Sequence, residues 1–265
     1  MKLSFSTLGC PDWRFDEIMA TAKDFGFDGV EVRGVRSKTY APDIKAFGEF
    51  WPENSEKIAK LGIGVVALSS GICVREYGKP QIDEAVAYAK LADKIGAKYI
   101  RILGDTTIAP QNSVDDDVVI KALKEIASAT ADTNAVFLVE SNGAFADSKR
   151  LAKVIEAVDS EKVQALWDVH HPYRYFNETP AETWENIGKY VKFVHIKDSI
   201  IENGAVKYKM MGRGDIPMDD IIAVLKTGGY DGFLSLEWVK RWCHELEEPG
   251  IVFVQYINYM KKKLR

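Results

Sequence analysis

The sequence predicts one α/β domain, a (β/α)8 TIM barrel that covers residues 1–265. Short apolar strands alternate with amphipathic helices eight times, and no Pro/Ser-rich linker or low-complexity run divides the series. The length of 265 residues is also close to the roughly 250 residues of a typical barrel. An open doubly wound sheet would alternate in the same way, but it usually has fewer strands, and no G-x-G-x-x-G follows the first strand.

The first half of the chain contains four of the predicted units. Residues 3–8 alternate as a strand, and apolar side chains then recur at helical spacing from Phe15 to Phe25. Glycine readily takes the left-handed conformation that ends a helix, and it follows three predicted helices, at Gly26, Gly62 and Gly96. The other predicted elements are a strand within 26–34, helices over 44–61 and 81–95, strands over 64–68 and 98–103, and a helix over 114–133.

The second half continues the alternation with four more units. The segment 229–237 is a near copy of 26–34, which indicates weak internal repetition of an αβ unit. The predicted strands cover 135–139, 163–167, 191–196 and 232–236, and the predicted helices cover 148–158, 181–190, 218–227 and 252–264.

The amino-acid composition indicates which classes of protein fit this chain. A hydrophobic fraction of 46% and a formal net charge of −4 suit a globular domain that acts on a small polar molecule, and they give no basic surface for nucleic acid. The three cysteines lie far apart without a C-x-x-C pair, so a reduced, cytoplasmic location is expected. No signal peptide or membrane span is predicted. Exposed apolar helix surfaces would allow a homo-oligomer.

Acidic and imidazole side chains end four consecutive predicted strands, the fifth to the eighth. In a (β/α)8 barrel, the carboxyl ends of the strands form the active site. One acidic residue after a strand is more often a helix cap or a loop ion pair, but four successive units favour a common site. Crowded carboxylates repel one another unless a cation lies among them. The four residues are Glu140, Asp168, His195 and Glu237.

A divalent metal would resolve this repulsion. Three carboxylates and one imidazole suit Mn²⁺ or Mg²⁺, and Co²⁺ or Zn²⁺ are also compatible with such ligands. The remaining coordination positions would be open to water or to substrate oxygens. The sequence therefore predicts one divalent metal ion at the mouth of the barrel.

Five motifs resemble the xylose-isomerase-like sugar isomerase/epimerase superfamily, and the resemblance covers essentially the whole chain. The pattern His-Ile-Lys-Asp followed by Gly-x-Gly-Asp-Ile is fairly specific. The motifs are Val139-Glu140-Ser141-Asn142, Trp167-Asp168-Val169-His170-His171-Pro172, Val194-His195-Ile196-Lys197-Asp198, Gly212-Arg213-Gly214-Asp215-Ile216-Pro217 and Leu236-Glu237-Trp238.

The resemblance implies specific roles. The four strand-end residues would bind the metal, Glu140 and Glu237 would also be the acid/base pair, and His171 would contact substrate hydroxyls. The implied reaction is isomerisation or epimerisation of a ketose, aldose or related polyol, with or without a phosphate group, by proton transfer through a metal-stabilised enediolate. Two carboxylates on opposite walls permit both outcomes, and the sequence does not choose between them.

Further side chains are candidates for binding the substrate. Strand alternation points Lys197 into the mouth, where it would bind substrate oxygen or phosphate, or pair with a carboxylate. Arg213 lies in a glycine-flanked loop, where contact with an anion and ordinary solvation are both open. His170 has no motif support, and a structural role is expected.

In the first half of the chain, each candidate for substrate binding also has a second interpretation. Glu31 and Arg33 end the second strand and would recognise hydroxyls or pair with each other, and Arg101 on the fourth strand is comparable. Trp13 would close an apolar wall on a sugar or pack in the core.

Four alternative functions share parts of this pattern. A lyase or dehydratase of a keto-inositol type substrate begins with the same proton removal. A non-catalytic sugar-binding barrel would not need the intact ligand set. An apurinic endonuclease is disfavoured because the chain has four histidines, all after residue 169, and lacks histidine after the third and fourth strands. A true xylose isomerase would need a second metal site, which is not apparent.

Overall fold

The computed structural model describes residues 1–110 and 113–265. Within these ranges, eight parallel strands close into a barrel, in the order β1-β10-β7-β6-β5-β4-β3-β2. The predicted fold class is therefore confirmed. The barrel strands are β1 (Lys2–Ser6), β2 (Gly29–Val32), β3 (Val65–Cys73), β4 (Tyr99–Leu103), β5 (Val136–Glu140), β6 (Val163–Asp168), β7 (Val191–Ile196) and β10 (Phe233–Leu236).

The register of the strands brings the predicted site residues to one rim. Asp168 is the last residue of β6 and pairs with His195 on β7, and Glu140 is the last residue of β5. The residue two positions before a ligand points the same way, so a layer of the barrel interior lies directly below the site. This layer contains the buried side chains of Ala67, Leu138, Leu166 and Phe193.

The helices pack outside the strands. Their apolar faces and the outward side chains of the strands form the larger core. Gly26, Gly62 and Gly96 each follow a helix with positive φ, as predicted. The helices are α1 (Phe15–Phe25), α2 (Trp51–Leu61), α3 (Lys79–Ile95), α4 (Asp116–Ala129), α5 (Ser148–Val158), α6 (His170–Phe176), α7 (Pro180–Ile187), α8 (Met218–Thr227) and α9 (Pro249–Lys263). Among the described residues, no helix combines the length and apolarity needed to cross a membrane.

The helix predicted over 44–61 begins later, at Trp51. Pro52 lies in the first turn of α2, where its missing N–H is tolerated, but a helix running through this point would need that N–H. Ile44 and Phe47 contribute to the apolar pattern that suggested the longer helix. Both belong to an irregular segment, and their side chains are buried.

Two insertions on the rim were not predicted. After β6 the chain forms the short helix α6, and after β7 it forms a hairpin of β8 (Asp198–Glu202) and β9 (Ala205–Lys209). Asn203 and Gly204 turn the hairpin with φ of 52° and 76°. An Asn-Gly pair between two short runs is a strong hairpin signal, because both residues tolerate positive φ.

Candidate active site

Four buried side chains meet at the carboxyl end of the barrel. Each offers one potential ligand atom, and these atoms all lie within 4.8 Å of one another. His195 Nδ1 lies 3.5 Å from an oxygen of Glu140, 3.5 Å from an oxygen of Glu237 and 4.0 Å from an oxygen of Asp168. The structure thus brings together the four residues that the strand ends predicted. These residues could hold a metal ion.

The atoms at the centre of this cluster suit a divalent cation. Among the described residues, His195 Nδ1 has no hydrogen-bond partner, although it is buried and faces three carboxylate groups. Buried polar atoms are normally paired. One imidazole nitrogen and carboxylate oxygens from three residues form an appropriate donor set for Mn²⁺, Mg²⁺ or a related ion.

Glu31 orients the imidazole of His195 from behind. Its oxygens lie 2.9 and 3.1 Å from His195 Nε2, and they also accept hydrogen bonds from the hydroxyls of Ser69 and Ser235. Because the Nε2 proton is held by the carboxylate, the lone pair of Nδ1 faces the cluster. Glu31 is fully buried and does not line the cavity. Its position fits orientation of His195, and contact of Glu31 with substrate hydroxyls stays a prediction that the cavity wall does not support.

The surroundings of His195 favour positive charge. Burial by itself lowers the pKa of its imidazole, but the charges of Glu31 and Glu237 outweigh burial and raise the pKa well above its usual value. The same field favours any cation at this place, either a proton on the imidazole or a metal ion among the carboxylates.

Each of the two glutamates has one oxygen directed toward His195 and the other toward a basic side chain. Glu140 Oε2 lies 3.1 Å from Nε of Arg101, and Glu237 Oε2 pairs with Nζ of Lys197. Lys197 also lies 2.6 Å from Asp168 Oδ2. Burial raises the pKa of both glutamates, but the charges of Arg101 on Glu140, of Lys197 on Glu237 and of His195 on both hold their pKa values below the usual range. Both are therefore carboxylates at neutral pH.

The helix α6 places two histidines beside Asp168. His171 Nε2 lies 3.4 Å from Asp168 Oδ2 and 3.3 Å from Lys197 Nζ, and its side chain lines the cavity. Burial lowers the pKa of both imidazoles, so both are neutral at neutral pH. His170 Nε2 bonds to the hydroxyl of Ser199 at 2.9 Å instead. A second potential metal group, Asp168 with both histidines, shares Asp168 with the first.

A cavity of about 200 Å³ opens above the cluster. Its wall contains six of the candidate residues that the sequence suggested, including Arg33 and Arg101; the other four are Glu140, His171, Lys197 and Glu237. The rest of the wall consists of Leu8, Leu103, Asp105, Thr106, Thr107, Ile108, Asn142, Tyr208, Val239 and Trp242.

Trp13 and Arg213, which were predicted to contact the substrate, do not line the cavity. Their role stays a prediction that the cavity wall does not support. The ring of Trp13 packs edge-on against Phe253, with centroids 5.8 Å apart, so it contributes to the core. Arg213 is exposed and is not part of the wall. The amides of Gly212 and Gly214 both donate to Asp198 Oδ2 at 2.9 Å, so this loop folds around a carboxylate of its own chain.

Tyr208 and Trp242 were missed by the sequence reasoning. Tyr208 lies on β9, and burial raises its pKa to about 12, so its hydroxyl remains a hydrogen-bond donor at neutral pH. The Asn-Gly turn could have predicted the hairpin that carries it. Trp242 follows β10 in an irregular segment and is 58% exposed at the rim. No periodic pattern marks its position.

Known proteins resemble this chain over nearly their whole length. Fructoselysine 3-epimerase from Escherichia coli O157:H7 is 19% identical over 259 residues, which cover 92% of this chain and 93% of that protein. The solved structure of a probable 3-DHS dehydratase from Bacillus anthracis has a TM-score of 0.81 at 15% identity and covers 98% of this chain and 99% of its own. D-psicose 3-epimerase from Clostridium cellulolyticum H10, solved with D-tagatose, has a TM-score of 0.77 at 16% identity over 100% of both chains.

Structural likeness at such identities shows the fold, and the family follows from the sequence. The pattern that defines xylose isomerase-like TIM barrels matches residues 19–261. The chain belongs to the xylose isomerase-like TIM barrel family.

Proposed function

We propose that this protein is a divalent-metal-dependent epimerase or isomerase of a small sugar-like substrate. One observation carries the proposal. Glu140 and Glu237 both line the cavity, both are held ionised, and both belong to the four-residue cluster. Two carboxylate bases beside a cation site are what proton transfer next to a carbonyl needs.

The metal would be held by Glu140, Asp168, His195 and Glu237, with Mn²⁺ or Mg²⁺ favoured by the excess of oxygen ligands. When bound, it would supply Lewis-acid stabilisation of the negative charge that develops on the substrate oxygens. Glu31 would keep the imidazole of His195 in the orientation that this binding needs.

The side chains of the cavity would carry the proton transfer. One glutamate removes the proton from the carbon next to the carbonyl, and the other returns a proton at the opposite face. Arg101 and Lys197 lie beside these carboxylates and would stabilise negative charge on the substrate. The neutral His171 and the hydroxyl of Tyr208 would bind substrate hydroxyls.

The relatives support epimerisation as the first choice. Fructoselysine 3-epimerase and D-psicose 3-epimerase both bear names that describe inversion at a sugar carbon. Return of the proton to the neighbouring carbon would instead interconvert an aldose and a ketose.

Dehydration is the second candidate. The ammonium of Lys197 lies next to Glu237 and 3.3 Å from His171 Nε2. An acid close to a base is the arrangement that elimination of a hydroxyl needs, since the leaving oxygen must be protonated. The product of the reaction would separate a lyase from an epimerase.

Proton exchange in D₂O tests the proposal. Mn²⁺-loaded protein would be incubated with ketohexoses, including D-psicose and D-tagatose, and deuterium at the carbon beside the carbonyl would be followed by NMR. Glu140→Gln and Glu237→Gln should each lower the exchange rate by about 10²–10⁴-fold. Metal content would be measured in each variant, because these residues are also potential ligands.

The exposed Glu245 provides the control, since Glu245→Gln removes a charge outside the cavity and should leave exchange unchanged. Full exchange in both Gln variants that still hold metal would contradict the two-base scheme. No exchange with any substrate of the panel would contradict the proposed reaction for these sugars.

A further inference from the structure

Arg33 is a basic side chain of the cavity wall without an acidic partner. It follows β2 and is half-buried, and its Nη1 donates to the carbonyl of Thr39 at 3.1 Å. Among the described residues, its Nε and Nη2 have no acceptor, and no carboxylate forms an ion pair with it. The other basic groups of the wall differ, because Arg101 pairs with Glu140 and Lys197 pairs with Glu237.

The surroundings of Arg33 are themselves positive. Burial, followed by the charges of Arg101 and Arg241, lowers the pKa of its guanidinium. Nε and Nη2 of Arg241 are also buried without a hydrogen-bond partner in the described part of the chain. A guanidinium that is partly removed from water among like charges is costly unless an anion neutralises it. Among the described residues, the charge of Glu84 acts in the opposite direction but Glu84 forms no ion pair with Arg33, so no directly bound anion neutralises this guanidinium.

The charge of the cavity changes further when a metal is bound. A dication would neutralise two of the three carboxylate charges of the cluster, and Arg33, Arg101 and Lys197 would then exceed the remaining negative charge on the wall. The remaining acidic residue of the wall, Asp105, does not offset them, since it already pairs with Arg75 at 2.7 Å.

From this juxtaposition we propose that the substrate carries a carboxylate group, which Arg33 binds through its free Nε and Nη2 edge. The substrate class would be a small polyhydroxylated acid with a carbonyl. The inference rests on the proposed function for the reaction at the other end of the cavity, between Glu140 and Glu237. A planar guanidinium edge matches a carboxylate in two parallel hydrogen bonds.

The structure favours a carboxylate over a phosphate. Phosphate sites in these barrels are usually built from backbone N–H groups of the loops after the seventh and eighth strands. Here the amides of Gly212, Gly214 and Ile216 already donate to the carboxylate of Asp198. A cavity of about 200 Å³ is also below the roughly 300–1,000 Å³ of pockets for drug-sized ligands, so the acid must be small.

A matched pair of ligands tests the inference. D-Gluconate and D-gluconamide share one polyol skeleton and differ in charge, and sorbitol 6-phosphate provides a phosphate on a similar skeleton. Their Kd values would be measured by calorimetry with Mn²⁺-loaded protein that has been freed of excess metal. The wild type should bind gluconate about tenfold or more tightly than gluconamide and more tightly than the phosphate, since hydrogen bonds to charged groups are the stronger ones.

Arg33→Met should remove this preference for the acid. The wild type and Arg33→Met hold the same metal. Any chelation of the metal by the carboxylate of gluconate therefore affects both proteins and cancels when their preferences are compared. Arg33→Lys retains the charge without the planar edge and should retain part of the preference, and it serves if Arg33→Met does not fold. Arg265→Met changes an exposed arginine outside the wall and should retain the full preference.

Each result decides the inference. Equal Kd values for gluconate and gluconamide in the wild type would overturn it. A ratio of these two Kd values that is unchanged in both Arg33 variants would also overturn it. Tighter binding of sorbitol 6-phosphate than of gluconate would mean that Arg33 binds a phosphate group instead of a carboxylate. The binding measurement needs no turnover. Absence of metal-dependent proton exchange with keto sugar acids, together with an intact Arg33-dependent preference, would therefore refute the proposed reaction alone.

Discussion

The two sides of the barrel mouth differ in charge and in the way they are built. The side formed by β5, β6, β7 and β10 supplies the acidic cluster, and its residues stand at or directly after strand ends. The side formed by β2, β3 and β4 supplies Arg33 and Arg101 and a loop that begins at Asp105. The acidic side is thus fixed by the barrel itself, whereas part of the basic side depends on a loop and its ion pair.

This difference explains the division of labour that we propose. A metal needs several ligand atoms placed within a few tenths of an ångström, and strand ends in register provide such positions. Recognition of a substrate group tolerates more variation, and loops are where proteins vary it. The following substitutions test whether the acidic side is the more rigid and the more important for the metal.

The largest effect is expected from His195→Ala. This substitution removes the only imidazole of the cluster and opens the space between three carboxylates. The Kd for Mn²⁺, measured by calorimetry, should rise by more than about 100-fold, beyond what loss of a supporting residue causes. His244→Ala is the control, because His244 is exposed and does not line the cavity. A change below tenfold in His195→Ala would mean that the metal binds elsewhere.

An intermediate effect is expected from Glu31→Gln, which leaves all four ligands in place. The amide can no longer hold the Nε2 proton of His195 as a carboxylate does, so the Kd for Mn²⁺ should rise by about 10–100-fold. Ser235→Ala removes one hydrogen bond to Glu31 and should have a smaller effect in the same direction. Unchanged affinity in Glu31→Gln would show that the imidazole keeps its orientation without the carboxylate.

The smallest effect on metal affinity is expected on the basic side, from Asp105→Ala, which should instead change the stability of the protein. The buried carboxylate accepts from Arg75 at 2.7 Å and from the amide of Ala144 at 3.0 Å. Its loss should lower the free energy of unfolding by about 2 kcal/mol, because a buried N–H loses its acceptor. Urea denaturation measures this, and Asp105→Asn, which keeps an acceptor, should lose less. A loss under about 0.5 kcal/mol would mean that the loop does not depend on Asp105.

Side-chain direction explains which parts of the site the sequence could predict. In a strand, alternation fixes the face of every residue, so the positions of Glu140, Asp168 and His195 at strand ends are enough to direct all three into one mouth. Loops have no such rule. Arg213 and Trp242 both lie in irregular segments, and the first points to solvent while the second stands at the rim of the cavity.

The family motif also contained a contact that the sequence alone did not reveal. For the glycine-flanked loop around Arg213, contact with an anion and ordinary solvation were both open, and in the structure the amides of this loop bind the carboxylate of Asp198, which belongs to the preceding motif. The two motifs therefore explain each other. A sequence shows that the residues of such a pair are present, but only the fold shows that they meet.

The apolar layer below the site, formed by Ala67, Leu138, Leu166 and Phe193, affects how ligands enter and leave the cavity. Among the described residues, these buried side chains fill the barrel interior below the cavity. For the proposed reaction, substrate, product and solvent would then share the mouth of the cavity, whose wall includes Trp242 and Ile108. A product that leaves slowly would then delay the arrival of the next substrate, and an inert molecule lodged at the entrance would block both directions at once.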